Sequence, residues 1–350
     1  MNRTSRGVAL SATLAALVVA GIVLSAITGQ LAIAPTEVLG SLLRAAGIQN
    51  GWAPENDIIE STLWVVRLPR IVMALVVGSA LAIAGAVMQA IFGNPLAEPG
   101  VVGVSSGAAL GAGLGIVLAS AGIGAFTSSW ATAGLAFLGG LAATLLVYLV
   151  SRSNGRTEVV TLLLTGIAIN AFAGAGLAFL LFAGSAASRE QITFWQLGSL
   201  NGSRWEEVAI VTLVSVIGLI IALIISSRLN LLALGERSAR HLGVNVEALR
   251  VGSIVLVALL TGVAVAFCGI IAFVGLVVPH IIRMAIGPAH RPLILASAIG
   301  GGALLVYADL IARTVVSGAD LPIGMLTSLI GGPFFFFLLY RQRKRSGGWA

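Results

Sequence analysis

"LLALGERSARHLGV", residues 231 to 244, is a charged island between two long apolar runs, 206 to 227 and 247 to 268. Each run is long enough to cross the ~30 Å hydrocarbon core of a bilayer as a helix. The island then reads as a loop on one face of a membrane, and the same reading extends along the chain. Of 350 residues, 58% are hydrophobic and 9% charged, and the mean hydropathy is +1.05, outside the range of soluble domains. About 20 apolar residues per crossing leave room for roughly nine to eleven spans and no separate soluble domain. The expectation is one all-α polytopic membrane domain over residues 1–350.

The apolar windows lie at 7–28, 65–91, 97–119, 128–150, 158–183, 206–227, 247–268, 272–285, 292–315 and 321–340. The first follows Arg3 and Arg6 and is too long for a secretory leader, so it reads as an uncleaved span. The window at 272–285 is short and holds Pro279, which suits a partial or tilted span packed inside protein. Among the 44 glycines many fall within the spans, and they predict close helix packing.

Ten spans put both termini on one face. That face collects fourteen of the twenty basic residues and only four acidic ones, Glu98, Glu158, Glu236 and Glu247. The other face keeps six basic residues, including Arg67, Arg70 and Arg313, and nine acidic ones. The excess of arginine places both termini and the island in the cytoplasm. A pI near 10.9 comes from residues scattered at span edges, which fits topology and not nucleic-acid binding. Cys268, the single cysteine, sits in an apolar run and reads as a buried, inert thiol.

The segments "GAVMQAIFGNP" (85–95) and "GIIAFVGLVVP" (269–279) share a Gly, nine residues and a Pro. They suggest a duplication, with inverted five-helix halves over about 1–190 and 200–345, the arrangement of a path between rocking halves. A secondary transporter would also use such halves, but it places acidic or ion-binding groups near the midplane. Here acidic residues fall at span ends, Asp309 being the deepest. No catalytic or metal set is visible, because His241, His280, His290 and Cys268 are scattered. The only lysine, Lys344, follows no Gly-rich phosphate loop, so the chain carries no P-loop ATPase.

The stretches "RLPRIVMALVVGSALAIAGAVMQAIFGNPLAEPGVVGVSSGAALG" (67–111), "LLALGERSARHLGV" (231–244), "GIIAFVGLVVPHIIRM" (269–284) and "ADLIARTVVSGADLPIGMLTSLIGGPFFFFLL" (308–339) resemble the FecCD-type permease subunits of bacterial ATP-binding-cassette importers for iron complexes, haem and vitamin B12. The resemblance implies a ten-helix permease in the bacterial cytoplasmic membrane. It also implies a second permease copy, two ATP-binding subunits carrying ATP and Mg, and a substrate-binding protein outside. The chain itself is expected to hold no cofactor.

By the same resemblance the island is a coupling helix, with Leu234, Gly235, Glu236, Arg237, Arg240 and His241 against the ATPase; from the residues alone a solvated topogenic loop reads as well. "RLPR" sets Arg67 and Arg70 on one helix face with Pro69 favouring a helix start. Relatives use matching arginines, with one corresponding to Arg313, to receive the glutamates of the binding protein, and the guanidinium fork suits carboxylates. The plain alternative is snorkelling to headgroups. Asn94 and Leu96 in "FGNPLAEPG" match a cytoplasmic gate, although an ordinary turn would look the same, and "SNGRT" (153–157) matches the place of a second constriction. "ITFWQLGSLNGSRWEEV" (192–208) leans toward the haem-importing branch, with ferric siderophore and cobalamin as the alternatives. No ligand for haem iron lies toward the outer mouth, and Met88 and Phe194 read as helix-packing residues.

Overall fold

The computed structural model describes all residues except 1–2, 154–155, 317 and 346–350. Among the described residues seven helices are long and apolar enough to cross a membrane: Gly7–Ile27, Asp57–Phe92, Ser129–Ser151, Val159–Ala183, Trp205–Leu232, Val246–Cys268 and His290–Ala312. Val104–Ser120, Val274–Ile286 and Ile323–Leu338 are apolar but shorter. Together these coincide closely with the ten apolar windows, because continuous hydropathy is the strongest element signal in a membrane chain.

In chain order α1 is Arg3–Ile27, α2 Pro35–Ala45 and α3 Asp57–Ser61, which runs through a π-helical stretch Thr62–Arg67 into α4, Leu68–Phe92. Next come α5 (Val104–Ser120), α6 (Ser129–Ser151), α7 (Val159–Ala183), α8 (Ala186–Leu197) and α9 (Trp205–Leu232). The chain closes with α10 (Glu236–His241), α11 (Val246–Cys268), α12 (Val274–Ile286), α13 (His290–Ala312) and α14 (Ile323–Arg345). Pro69 sits in the first turn of α4, as expected, but the helical chain also runs on behind it through the π-helical stretch to Asp57. Proline lacks an N–H and its ring crowds the carbonyl four residues back, and the wider π turn just before it takes up that crowding.

α4 is the hub, packed against α9, α11, α12 and α13. Missing side chains make this possible. A Cβ on Gly78 would overlap the Gly301 carbonyl, and one on Gly85 would overlap the Gly275 carbonyl. Backbones therefore meet directly, as small residues allow where lipid supplies no hydrophobic drive. Met73, Ile83, Met88, Leu260, Leu276, Leu293 and Ile294 fill the space around these crossings. Cys268 lies buried as a free thiol, as expected.

The fold is all-α, as expected, apart from a short antiparallel hairpin of β1 (Arg152–Ser153) and β2 (Arg156–Thr157) between α6 and α7. Asn154 and Gly155 of "SNGRT" lie outside the described residues; Asn-Gly is the pair that two-residue hairpin loops favour. One expectation needs correction: the Gly-to-Pro pairing of 85–95 with 269–279 is not a structural match. Gly85 is inside α4, whereas Gly269 follows the end of α11, and Pro279 lies within α12. α4 and α11 each stop on a glycine of positive φ, Gly93 (φ 59°) and Gly269 (φ 68°). Positive φ at a helix end is what glycine tolerates best.

Candidate functional site

Polar chemistry gathers at the two ends of this bundle. At the end holding the start of α4, Arg67, Arg70 and Arg313 line one cavity of about 630 Å³ with Asp320, Asn201 and Gln30. Sequence spacing alone grouped the first two; the fold brings in the third. Arg67 and Arg70 are buried, Arg313 is partly buried, and all three are already hydrogen-bonded. Arg70 Nε donates to Asp309 at 2.8 Å and its Nη1 to Asp320 at 2.6 Å. Arg67 donates to the carbonyls of Ala26, at 2.5 Å, and Leu31. Arg313 donates to the carbonyl and hydroxyl of Ser25 and lies 3.6 Å from Asp309. Burial holds the Arg313 guanidinium below its ordinary pKa, and Asp309 opposes that shift.

Asp309 is 1% exposed and Asp320 26%. A buried charge without a partner costs several kcal/mol, so these carboxylates are what let the arginines sit inside. Sequence reading missed the pairing because Asp309 is 239 residues from Arg70 in the chain. Snorkelling does not describe these side chains, which point into protein.

At the opposite end, the island splits. Leu231 and Leu232 complete α9, and α10 proper is only Glu236–His241. Gly235 (φ 101°) and Gly243 (φ 83°) bound it, in conformations that stop a helix. Ala239 is its one buried residue; Arg237, Arg240 and His241 face outward. Leu234 and Leu242 flank it at 66% and 58% exposed. Large apolar residues bracketing a charged helix are the composition of a contact surface.

Behind α10 a polar link reaches the hairpin. Arg250, itself buried, donates to Glu236 at 2.5 Å and to the Thr157 carbonyl at 2.6 Å. Glu247 accepts from the Thr157 N–H at 3.0 Å and its hydroxyl at 2.6 Å. Sequence reading counted Arg250 and Glu247 only as topogenic charges. Nearby, Asn94 is exposed and its side chain accepts the Leu96 N–H at 2.9 Å, closing a tight turn, while Leu96 is half-buried. Glu98 turns inward, and its carboxylate accepts the Phe273 N–H at 3.0 Å. Burial raises its pKa and that hydrogen bond opposes the rise.

Of the two residues read as packing, Met88 is fully buried but Phe194 is 59% exposed. Phe194 lines a cavity of about 660 Å³ with Trp195, Phe267, Glu190 and Glu207. No cluster of His, Cys, Asp or Glu able to hold a metal ion occurs among the described residues.

Comparison with known proteins agrees with this layout. The FecCD transport family model matches residues 17–341. The hemin transport system permease protein of Yersinia pestis is 43% identical over 287 residues, 82% of this chain and 85% of that protein. The cobalamin import system permease protein of Halobacterium salinarum is 41% identical over 302 residues, 86% and 79% respectively. A solved inward-facing conformation of a metal-chelate type ABC transporter superposes with a TM-score of 0.81 at 32% identity, covering 95% of this chain and 98% of that one. A helical bundle without a phosphate loop, matched by permeases over 82% and 86% of its length, carries no ATPase of its own, and the chain belongs to the FecCD transport family as the permease subunit of an ATP-binding-cassette importer.

Proposed function

We propose that this chain moves haem across a bacterial cytoplasmic membrane as one of two identical permease copies. Two ATP-binding subunits sit beneath it and a substrate-binding protein docks above. The observation that carries the cargo is the 43% identity to a hemin permease over 82% of this chain. The exposed Phe194 beside Trp195 and Phe267 supports it, since a flat apolar macrocycle slides past aromatic walls without being ligated. Ten of its helices span the membrane in two inverted halves, about 1–190 and 200–345, with both termini cytoplasmic.

Docking uses Arg67, Arg70 and Arg313. Asp320, the more exposed of the two carboxylates on Arg70, gives way to a glutamate of the binding protein. ATP-driven closure below pushes Leu234, Gly235, Glu236, Arg237, Arg240 and His241, and the turn at Asn94 and Leu96 closes the path toward the cytoplasm. Switching the facing almost completely takes about 5.5 kcal/mol of bias between states, which the nucleotide cycle supplies.

Cobalamin is the second reading, favoured by the 41% identity to a cobalamin permease; ferric siderophores follow. The test is ATP-dependent uptake into liposomes holding the complete complex, with haem, cobalamin and ferric siderophores offered side by side. Haem uptake at least tenfold above the others supports the proposal. Uptake of cobalamin or a siderophore in place of haem overturns the cargo and leaves the permease assignment untouched.

A further inference from the structure

Between α10 and the bundle lies a cavity of about 420 Å³ whose lining includes Gln89, Glu236, Arg250, Arg283 and His290. Its charges do not balance. Two arginines face one carboxylate, and that carboxylate is spent: Glu236 Oε1 accepts from Arg250 at 2.5 Å and Oε2 from Arg240 at 3.4 Å. Arg283, half-buried, pairs with no acidic residue among the described residues, and its one hydrogen bond goes to Gln89 Oε1 at 3.4 Å.

Hydrogen-bond supply is lopsided in the same place. The Nε atoms of Arg250 and Arg283 are buried without an acceptor, and so is His290 Nε2 without a partner. His290 is 2% exposed. Asn230 Oδ1 accepts both its backbone N–H at 2.9 Å and its Nδ1–H at 2.8 Å. The ring proton is therefore on Nδ1, which leaves Nε2 as an unpaired acceptor able to receive the P–OH proton of a hydrogen phosphate. A protein interior normally pairs such groups, and an unpaired buried cation costs several kcal/mol. Surplus donors with one surplus positive charge call for an anion.

We propose that this cavity binds a phosphate-type oxyanion, as free phosphate or as the headgroup of an anionic lipid. Arg283 is its main anchor, with Arg250 as a flanking donor and His290 Nε2 as an acceptor for a P–OH. These groups come from α11, α12 and α13, which suits a tetrahedral anion with oxygens in several directions better than a planar carboxylate. The cavity also touches the end of α4 and of α9 and the start of α10. An occupant would tie the short helix to the spans behind it. The proposal stands on the cavity and does not depend on which cargo the permease carries.

The test uses the full-length chain, without its ATPase, in nanodiscs of phosphatidylcholine. Thermal unfolding and equilibrium dialysis with radiolabelled inorganic phosphate are measured, with sulfate and chloride as competitors. A parallel set of discs contains phosphatidylglycerol. Ligand that binds the folded chain raises its unfolding temperature. Saturable phosphate binding that sulfate displaces and chloride does not, weakened at least tenfold in Arg283→Gln and less in Arg283→Lys, supports a free anion as occupant. Stabilisation by phosphatidylglycerol alone, lost in Arg283→Gln, supports the headgroup. The wild-type shift keeps the test decisive even if a variant fails to fold. No shift from either source, or one equal in wild type and Arg283→Gln, overturns the proposal.

Discussion

At the start of α4, Arg67 and Arg70 are buried and Arg313 partly so, and their forks are taken by Asp309, Asp320 and three backbone carbonyls. At the other end, Arg237, Arg240 and His241 stand exposed on a six-residue helix anchored by Ala239 and by the Glu236–Arg250 ion pair. The same residue type serves two purposes. Arginines closed by their own acids hold a surface in one shape until an outside carboxylate competes. Arginines held by little can be seized and moved by a partner. The contrast supports the proposal that the first region recognises a partner and the second receives work.

The strongest way to break the comparison is at Asp309. Asp309→Ala leaves Arg70 and Arg313 short of their buried counter-charge and should cost about 3–5 kcal/mol, measured by denaturant or thermal unfolding in detergent. A loss under ~1 kcal/mol would mean that the outer cluster is not closed by its own acids. Reversing Arg67 and Arg70 to Glu should weaken docking of the binding protein at least about tenfold, and raising the salt should shrink the difference between variant and wild type. Insertion and thermal stability of the variant separate lost docking from lost fold.

Asp320→Asn sharpens the comparison, because Asp320 is 26% exposed where Asp309 is 1%. Its stability cost should stay within about 1 kcal/mol. Docking should tighten severalfold as the internal competitor for Arg70 disappears; weaker docking would show that Asp320 itself belongs to the contact surface.

The smallest effect concerns Glu98, whose pKa burial raises. A raised folded-state value means that the folded chain holds this proton more tightly than the unfolded chain does. Stability from this group is full below the ordinary glutamate range and declines as pH rises through the raised value. Glu98→Gln should remove that decline while keeping an acceptor for the Phe273 N–H, as unfolding curves recorded across pH would reveal.

Much of the bundle was legible because a span announces itself by hydropathy alone. α2 and α8 were not, since Pro35–Ala45 and Ala186–Leu197 mix polar and apolar residues and form no apolar window. The length of α10 escaped because the conformations of Gly235 and Gly243, not composition, set its ends. At the sites, spacing could place Arg67 beside Arg70, but not the acids that bury them, which come from α13 and from the loop after it. The Thr157, Glu247, Arg250 and Glu236 link was hidden for the same reason: it joins a hairpin to two helices about 80 to 90 residues further on. Pairing across such separations is a product of topology, and no local pattern encodes it.

The central claim is that work enters through α10. The most direct test is ATP hydrolysis and cargo uptake measured together on the reconstituted complex carrying Leu234→Ser and Arg237→Glu, two exposed positions whose replacement leaves the packing of the bundle intact. The account predicts that hydrolysis continues while uptake per ATP falls at least about tenfold, which corresponds to about 1.4 kcal/mol of lost coupling. Uptake per ATP equal to wild type would contradict it.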